Sequence, residues 1–140
     1  MNLSAEQKRR LEEAARQAHR HSYSPYSRFP VGAAVLTGSG AIYTGCNVEN
    51  ASLGLTQCAE RNAVASAVGQ GERDILAVAI YTPTPRPTAP CGACRQVLAE
   101  FACDATVFCC CDGEQHLEAS LNSLLPAAFA ADDLPGEETP

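Results

Sequence analysis

Cys58-Ala59-Glu60-Arg61 and Pro90-Cys91-Gly92-Ala93-Cys94 decide how this chain is read. The three thiols in these two pieces can meet one zinc ion and leave its fourth position open. Structural zinc sites are closed by four protein ligands, whereas catalytic sites keep three and an open position. Cys91 and Cys94 stand three apart at an expected helix start, which puts both sulfurs on one side of its first turn. Cys58 sits at a second expected helix start. Two helix N-termini then aim unsatisfied N–H groups at the thiolates and favour the ionised sulfurs that zinc needs. Glu60, two positions after Cys58, is a carboxylate placed to shuttle protons at the open position. Alone, such a glutamate is a solvated helix residue, and a lone C-x-x-C equally suits a redox dithiol. The combination carries the reading.

Cys58 and Cys91 are separated by 33 positions (91 − 58). That length holds one helix, one strand and one loop, a βαβ-type return to the same end of a sheet. Three thiolates around a divalent ion leave a net negative charge, which is poor for acidifying a bound water. Arg61, one turn from Cys58, can donate to a thiolate and restore Lewis acidity. The competing readings are a solvated helix arginine at Arg61 and Arg95 as the donor.

Working outward, Ser4 and Gln7 have capping-box spacing, and Leu11, Ala14, Ala15 and Ala18 follow at helical spacing. A helix over Ala5–His21 is predicted, with His19 and His21 as surface residues without matched ligands. Phe29–Leu36 and Ala41–Val48 read as a hairpin around Thr37-Gly38-Ser39-Gly40. Asn47-Val48-Glu49-Asn50-Ala51-Ser52-Leu53 leaves the second strand as a loop beside the metal helix, a natural place for substrate contacts. A helix over Cys58–Val68, a doubly covered strand over Ile75–Tyr81 and a proline-rich loop over Thr82–Pro90 follow. Then come a helix over Gly92–Ala102, a buried strand over Ala105–Cys111, a short strand or turn, and a short helix over Ser120–Leu125. Alternating elements with an opening hairpin predict an α/β fold. The expected architecture is a three-layer α-β-α sandwich on a central mixed five-stranded sheet. One domain over residues 1–134 is expected, then an acidic tail at 135–140 with little to bury.

The 140 residues contain 10 Lys and Arg against 16 Asp and Glu, a formal net charge of −6. This excludes a basic footprint for nucleic acid polymers or anionic lipid. No apolar run approaches the roughly 18 residues of a membrane span. Without a signal-peptide h-region, the eight cysteines are read as reduced thiols or metal ligands, and the protein as cytoplasmic. Cys109, Cys110 and Cys111 alternate faces on a strand, so they are core thiols and no ligand set. Cys46 and Cys103 receive the same reading.

At this point the chain resembles the cytidine deaminases of the small, three-cysteine, homotetrameric type. The zinc pattern is matched to that of the zinc deaminases, whose own signature it is. The resemblance also rests on Tyr23-Ser24-Pro25-Tyr26-Ser27, Phe29-Pro30-Val31-Gly32-Ala33-Ala34, Gly45-Cys46-Asn47-Val48-Glu49-Asn50-Ala51 and Leu124-Leu125-Pro126-Ala127-Ala128-Phe129. It implies a cytidine deaminase-like fold and one Zn2+ per subunit, held by Cys58, Cys91 and Cys94. It implies that Glu60 takes a proton from the attacking water, protonates N3 and passes a proton to the departing amino group. Cytidine and deoxycytidine would yield uridine and deoxyuridine with ammonia. Asn47 and Glu49 would bind ribose hydroxyls, the Ala59 backbone would read the base edge, and Phe29 would pack on the pyrimidine. Phe129 would reach a neighbouring subunit's ring. Plain core packing is the alternative for both phenylalanines. Many relatives carry Tyr where this chain has Leu53, so a polar contact there is lost.

Three other readings compete. One is a deaminase of a modified cytosine nucleoside. Another is a structural zinc module closed by Cys46 or Cys103. The third is a dithiol redox protein using Cys91 and Cys94.

Overall fold

The computed structural model describes residues 2–136; residues 137–140 of the expected tail lie outside them. Helix α1 spans Ala5–His19, and both bonds of the Ser4–Gln7 capping box form. It ends two residues before the expected His21. Strands β1 (Gly32–Thr37) and β2 (Ile42–Cys46) form the hairpin, with Gly40 at φ +90° in its turn. Then come α2 (Ala59–Gly69), β3 (Ile75–Tyr81), α3 (Gly92–Ala102), β4 (Thr106–Cys110), β5 (Leu117–Ser120) and the single turn α4 (Leu121–Leu124). Short 3-10 turns occupy Leu53–Leu55 and Ala131–Asp133.

The hairpin strands are shorter than expected. Phe29–Val31 stays outside β1 because the Asn47 side chain holds it. Asn47 Nδ2 donates to Phe29 O at 2.8 Å, and Val31 N donates to Asn47 Oδ1 at 2.9 Å. Val48 leaves β2 to bridge Tyr23 on one side and Gln57 on the other.

The sheet order is β2-β1-β3-β4-β5. β1 is antiparallel to both β2 and β3, β3 is parallel to β4, and β4 is antiparallel to β5. β2, β3 and β4 therefore run the same way, and α2 and α3 are the crossovers between them. Along β3 the faces alternate: Ala77, Ala79 and Tyr81 pack under α1 with Leu11 and Ala15, whereas Val78 and Ile80 pack under α2 and α3 with Val64 and Leu98. The expected three layers result, and Cys109 and Cys110 fall on opposite faces as the alternation requires. All eight cysteines are free.

Because β2 and β3 run in parallel, α2 and α3 both start from the same edge of the sheet. That is where crossover folds leave a crevice beyond the strands' carboxyl ends. The distance of α2 from the sheet is set by Gly45. A Cβ built there would lie 2.4 Å from Ala63 N and 2.5 Å from Ala59 O. Gly45→Ala must push α2 outward and is expected to cost about 1–3 kcal/mol. Thermal unfolding should show a Tm lower by several degrees; an unchanged Tm would show that α2 does not rest on this contact.

Candidate active site

Cys58 and Cys91 are the N-cap residues of α2 and α3, both with extended backbone. Cys91 Sγ accepts from Cys94 N at 3.4 Å, and Cys94 is fully buried in the first turn of α3. The sulfurs therefore lie at two helix starts, where free N–H groups favour negative charge. The three Sγ atoms lie within 4.8 Å of one another, the sole such metal-ligating cluster among the described residues. Tetrahedral zinc with sulfur bonds of 2.3 Å sets sulfurs about 3.8 Å apart, so the triad fits this ion. Neither Cys46 nor Cys103 joins it, which leaves the four-sulfur structural reading without its fourth ligand.

Cys58 is held down at about 5 by the Cys94 thiol that donates to it and then by Arg61. Cys94, as the donor and buried, is pushed up. Arg61 Nη2 donates to Cys58 Sγ at 3.1 Å and to Thr56 O at 3.4 Å. Its Nε is buried without a partner. Arg95 is committed elsewhere, donating to Pro90 O at 2.8 Å and Leu124 O at 2.9 Å. Between the two arginines, Arg61 is the one against a thiolate.

Glu60 is buried in the first turn of α2 with 5% exposure. Burial pushes its carboxyl above the ordinary range, and the Cys58 charge adds to this. Glu60, Cys58 and Cys91 open into one cavity of about 370 Å³. Phe29, Asn47, Glu49 and Ala59 line it too. Asn47 reaches it while bracing the Phe29–Val31 segment, and Ser22 Oγ also donates to its Oδ1.

Other expected contacts lie elsewhere. Val48, Asn50, Ala51, Ser52 and Leu53 do not line the cavity. The double bridge turns Val48 outward, and the 3-10 turn leaves Leu53 at 69% exposure. Phe129 is 58% exposed and outside the cavity, its carbonyl accepting from Gln96 Nε2 at 2.9 Å. The sequence reading missed Ser27, Thr56, Thr82 and Thr88 in the lining. Thr56 and Thr88 stand two and three residues before the ligand positions Cys58 and Cys91, whereas Ser27 and Thr82 carry no such signal.

The family model for the cytidine and deoxycytidylate deaminase zinc-binding region matches residues 5–110. The chain belongs to this deaminase family. Among its relatives, the cytidine deaminase of Halalkalibacterium halodurans is 48% identical over 119 residues, covering 84% of this chain and 90% of that protein. The cytidine deaminase of Mycobacterium tuberculosis (strain H37Rv) is 44% identical, covering 88% and 90%. The crystal structure of the Burkholderia pseudomallei cytidine deaminase superimposes with a TM-score of 0.84 at 43% identity, covering 91% of this chain and all of that one. As a family member the chain is an enzyme of the zinc-dependent deaminase type, and its three-thiol cluster suits zinc. No described helix is long and apolar enough to cross a membrane.

Loss of a group that supports a metal ligand typically weakens metal affinity 10–100-fold. Arg61→Leu is therefore expected to lose zinc to a chromophoric chelator at about 10–100-fold lower chelator concentration than the unsubstituted protein. Equal retention would show that the 3.1 Å contact to Cys58 does nothing for the metal.

Proposed function

We propose that this chain is a zinc-dependent cytidine deaminase that hydrolyses cytidine and deoxycytidine to uridine and deoxyuridine with release of ammonia. The observation that carries this is the buried Glu60 carboxyl, held above its ordinary range, facing one cavity with two of three clustered thiols. The relatives named cytidine deaminase over most of their length support the substrate.

Cys58, Cys91 and Cys94 would hold the zinc. When bound, zinc supplies a Lewis acid that makes water a nucleophile at neutral pH. Arg61 offsets the thiolate charge. Glu60 accepts a proton as water adds to C4 of the base, delivers one to N3, and then moves one to the amino nitrogen. The C4–N bond breaks, ammonia leaves and the carbonyl forms. A carboxyl raised by burial suits this work, which asks it both to take and to return a proton. Ala59 stands at the first position of α2, where its N–H has no helical partner and can read the base edge. Phe29 packs on the pyrimidine, and Asn47 and Glu49 take the ribose hydroxyls. Among the described residues the lining includes no Lys, Arg or His, which suits a neutral nucleoside and not a nucleic acid polymer.

The active form is a homotetramer. Val48, Leu53 and Leu55 are apolar and exposed, as are Tyr23 and Phe129, and a neighbouring subunit is what covers them. Leu124 packs against its own core, so the exposed part of the C-terminal apolar segment is the part near Phe129. Through that contact Phe129 approaches a neighbour's substrate, and Asn50, Ala51, Ser52 and Leu53 frame a neighbour's cavity. The eight free thiols suit the reducing cytoplasm.

Glu60→Gln keeps shape but cannot shuttle a proton. Zinc content and Tm should hold while cytidine turnover, followed by ultraviolet absorbance, drops by about 10²–10⁴-fold. Turnover near the unsubstituted rate would remove Glu60 from the chemistry. Native mass spectrometry should give four times the 14.7 kDa chain mass; a fully active monomer would rule out shared sites.

A further inference from the structure

The Glu49 carboxylate is held by three donors from one short turn. Tyr26 N and Ser27 N donate to Oε1 at 2.9 and 3.2 Å, and Ser27 Oγ donates to Oε2. The same Ser27 Oγ accepts from Phe29 N at 3.1 Å. One hydroxyl therefore spends its single proton on Glu49 and a lone pair on Phe29. Both of those residues line the cavity, and so does Ser27. The turn is closed by Arg28 N donating to Ser24 O at 2.9 Å, with Arg28 at φ 56°. A non-glycine residue in the left-handed region is a cost that surrounding contacts must sustain, and such strain gathers at ligand sites. Here it lies next to the residue that joins two cavity walls.

We propose that Ser27 is a positioning residue for the sugar half of the site, fixing the Glu49 carboxylate and the Phe29 backbone relative to one another. The inference rests on the nucleoside reading above. Glu49, ionised, can only accept hydrogen bonds. Three of its accepting positions are taken by the turn, and what remains is directed at ligand O–H groups. The Ser27 hydroxyl keeps the carboxylate below its ordinary range, with the two backbone donors adding to the effect. Ser27 thereby sets the direction of the group that meets the sugar. It carries out no step of the deamination itself.

The test pairs Ser27→Ala and Ser27→Thr with two substrates. Ser27→Ala is expected to raise KM for cytidine about 10–100-fold, the worth of a hydrogen bond to a charged group, with kcat within about two-fold. Ser27 is exposed, so the threonine methyl has room; Ser27→Thr should return KM to near the starting value. On 2′,3′-dideoxycytidine, which lacks the hydroxyls, the Ser27→Ala penalty should shrink to within about two-fold, because an indirect contact cannot be lost twice. An equal penalty on both substrates would overturn the proposal, since a merely structural role weakens both alike. So would an unchanged KM, or a threonine variant as impaired as the alanine one. A substrate-free readout separates this from the functional reading. The Glu49 carboxyl titration, followed by carbon-detected NMR, should move up in Ser27→Ala whether or not cytidine is turned over. If it stays in place, Ser27 does not hold Glu49. If it moves but the unsubstituted enzyme ignores cytidine, it is the substrate assignment that fails.

Discussion

Three thiols and a carboxyl crowded at one sheet edge cannot all ionise unaided, and the rest of the structure is arranged around that fact. Unit charges 4 Å apart near a protein surface repel by about 4 kcal/mol. With the Sγ atoms within 4.8 Å of one another, protons must be shared. Cys58 sits low because Cys94 donates to it, and Cys94 sits high for the same reason. A divalent cation bound by the three sulfurs would take the place of those protons and let all of them ionise. Arg61 adds a fixed positive charge against Cys58. Burial raises the Glu60 carboxyl, and the charge on the neighbouring Cys58 adds to that.

The fold supplies this crowding through strand direction. β1 lies between β2 and β3 and runs against both, so the two outer strands are parallel and their crossover helices begin together. Cysteine at each N-cap position then turns helix starts into ligand positions. Close packing fixes the spacing. Gly45 lets the α2 backbone rest on β2, and Ala59, Ala63 and Ala67 keep that helix near the sheet. On the other face, α1 covers Ala34, Ala77 and Ala79. Both faces of the sheet carry core, and the α2/α3 face also positions the site.

Much of this was legible in the sequence because it is local. The spacing of Cys91 and Cys94, the carboxylate two residues after Cys58, and the apolar run Ile75–Tyr81 each report on a few adjacent residues. The bounds of β3 and α3 agree with those expected, since a proline-rich loop and a small-residue helix start mark them. Misjudged bounds came from long-range side-chain bonds. Asn47 draws Phe29–Val31 out of the ladder across 16 or more positions, and no periodicity reports that. The 47–53 loop read as one contact surface, yet only Asn47 and Glu49 reach this chain's own cavity, because bridges at Val48 and a 3-10 turn send the others outward. Ser27 and Thr82 are ordinary loop residues by sequence, and only the tertiary path brings them to the cavity.

The chemistry of the site depends on a metal held by three sulfurs with one position left open. X-ray absorption at the zinc edge of the zinc-loaded protein measures that directly, by counting sulfur and lighter neighbours around the ion. Three sulfurs at about 2.3 Å and one lighter atom is the expected result. Four sulfurs would contradict it, since a closed shell leaves Glu60 no reacting group to serve.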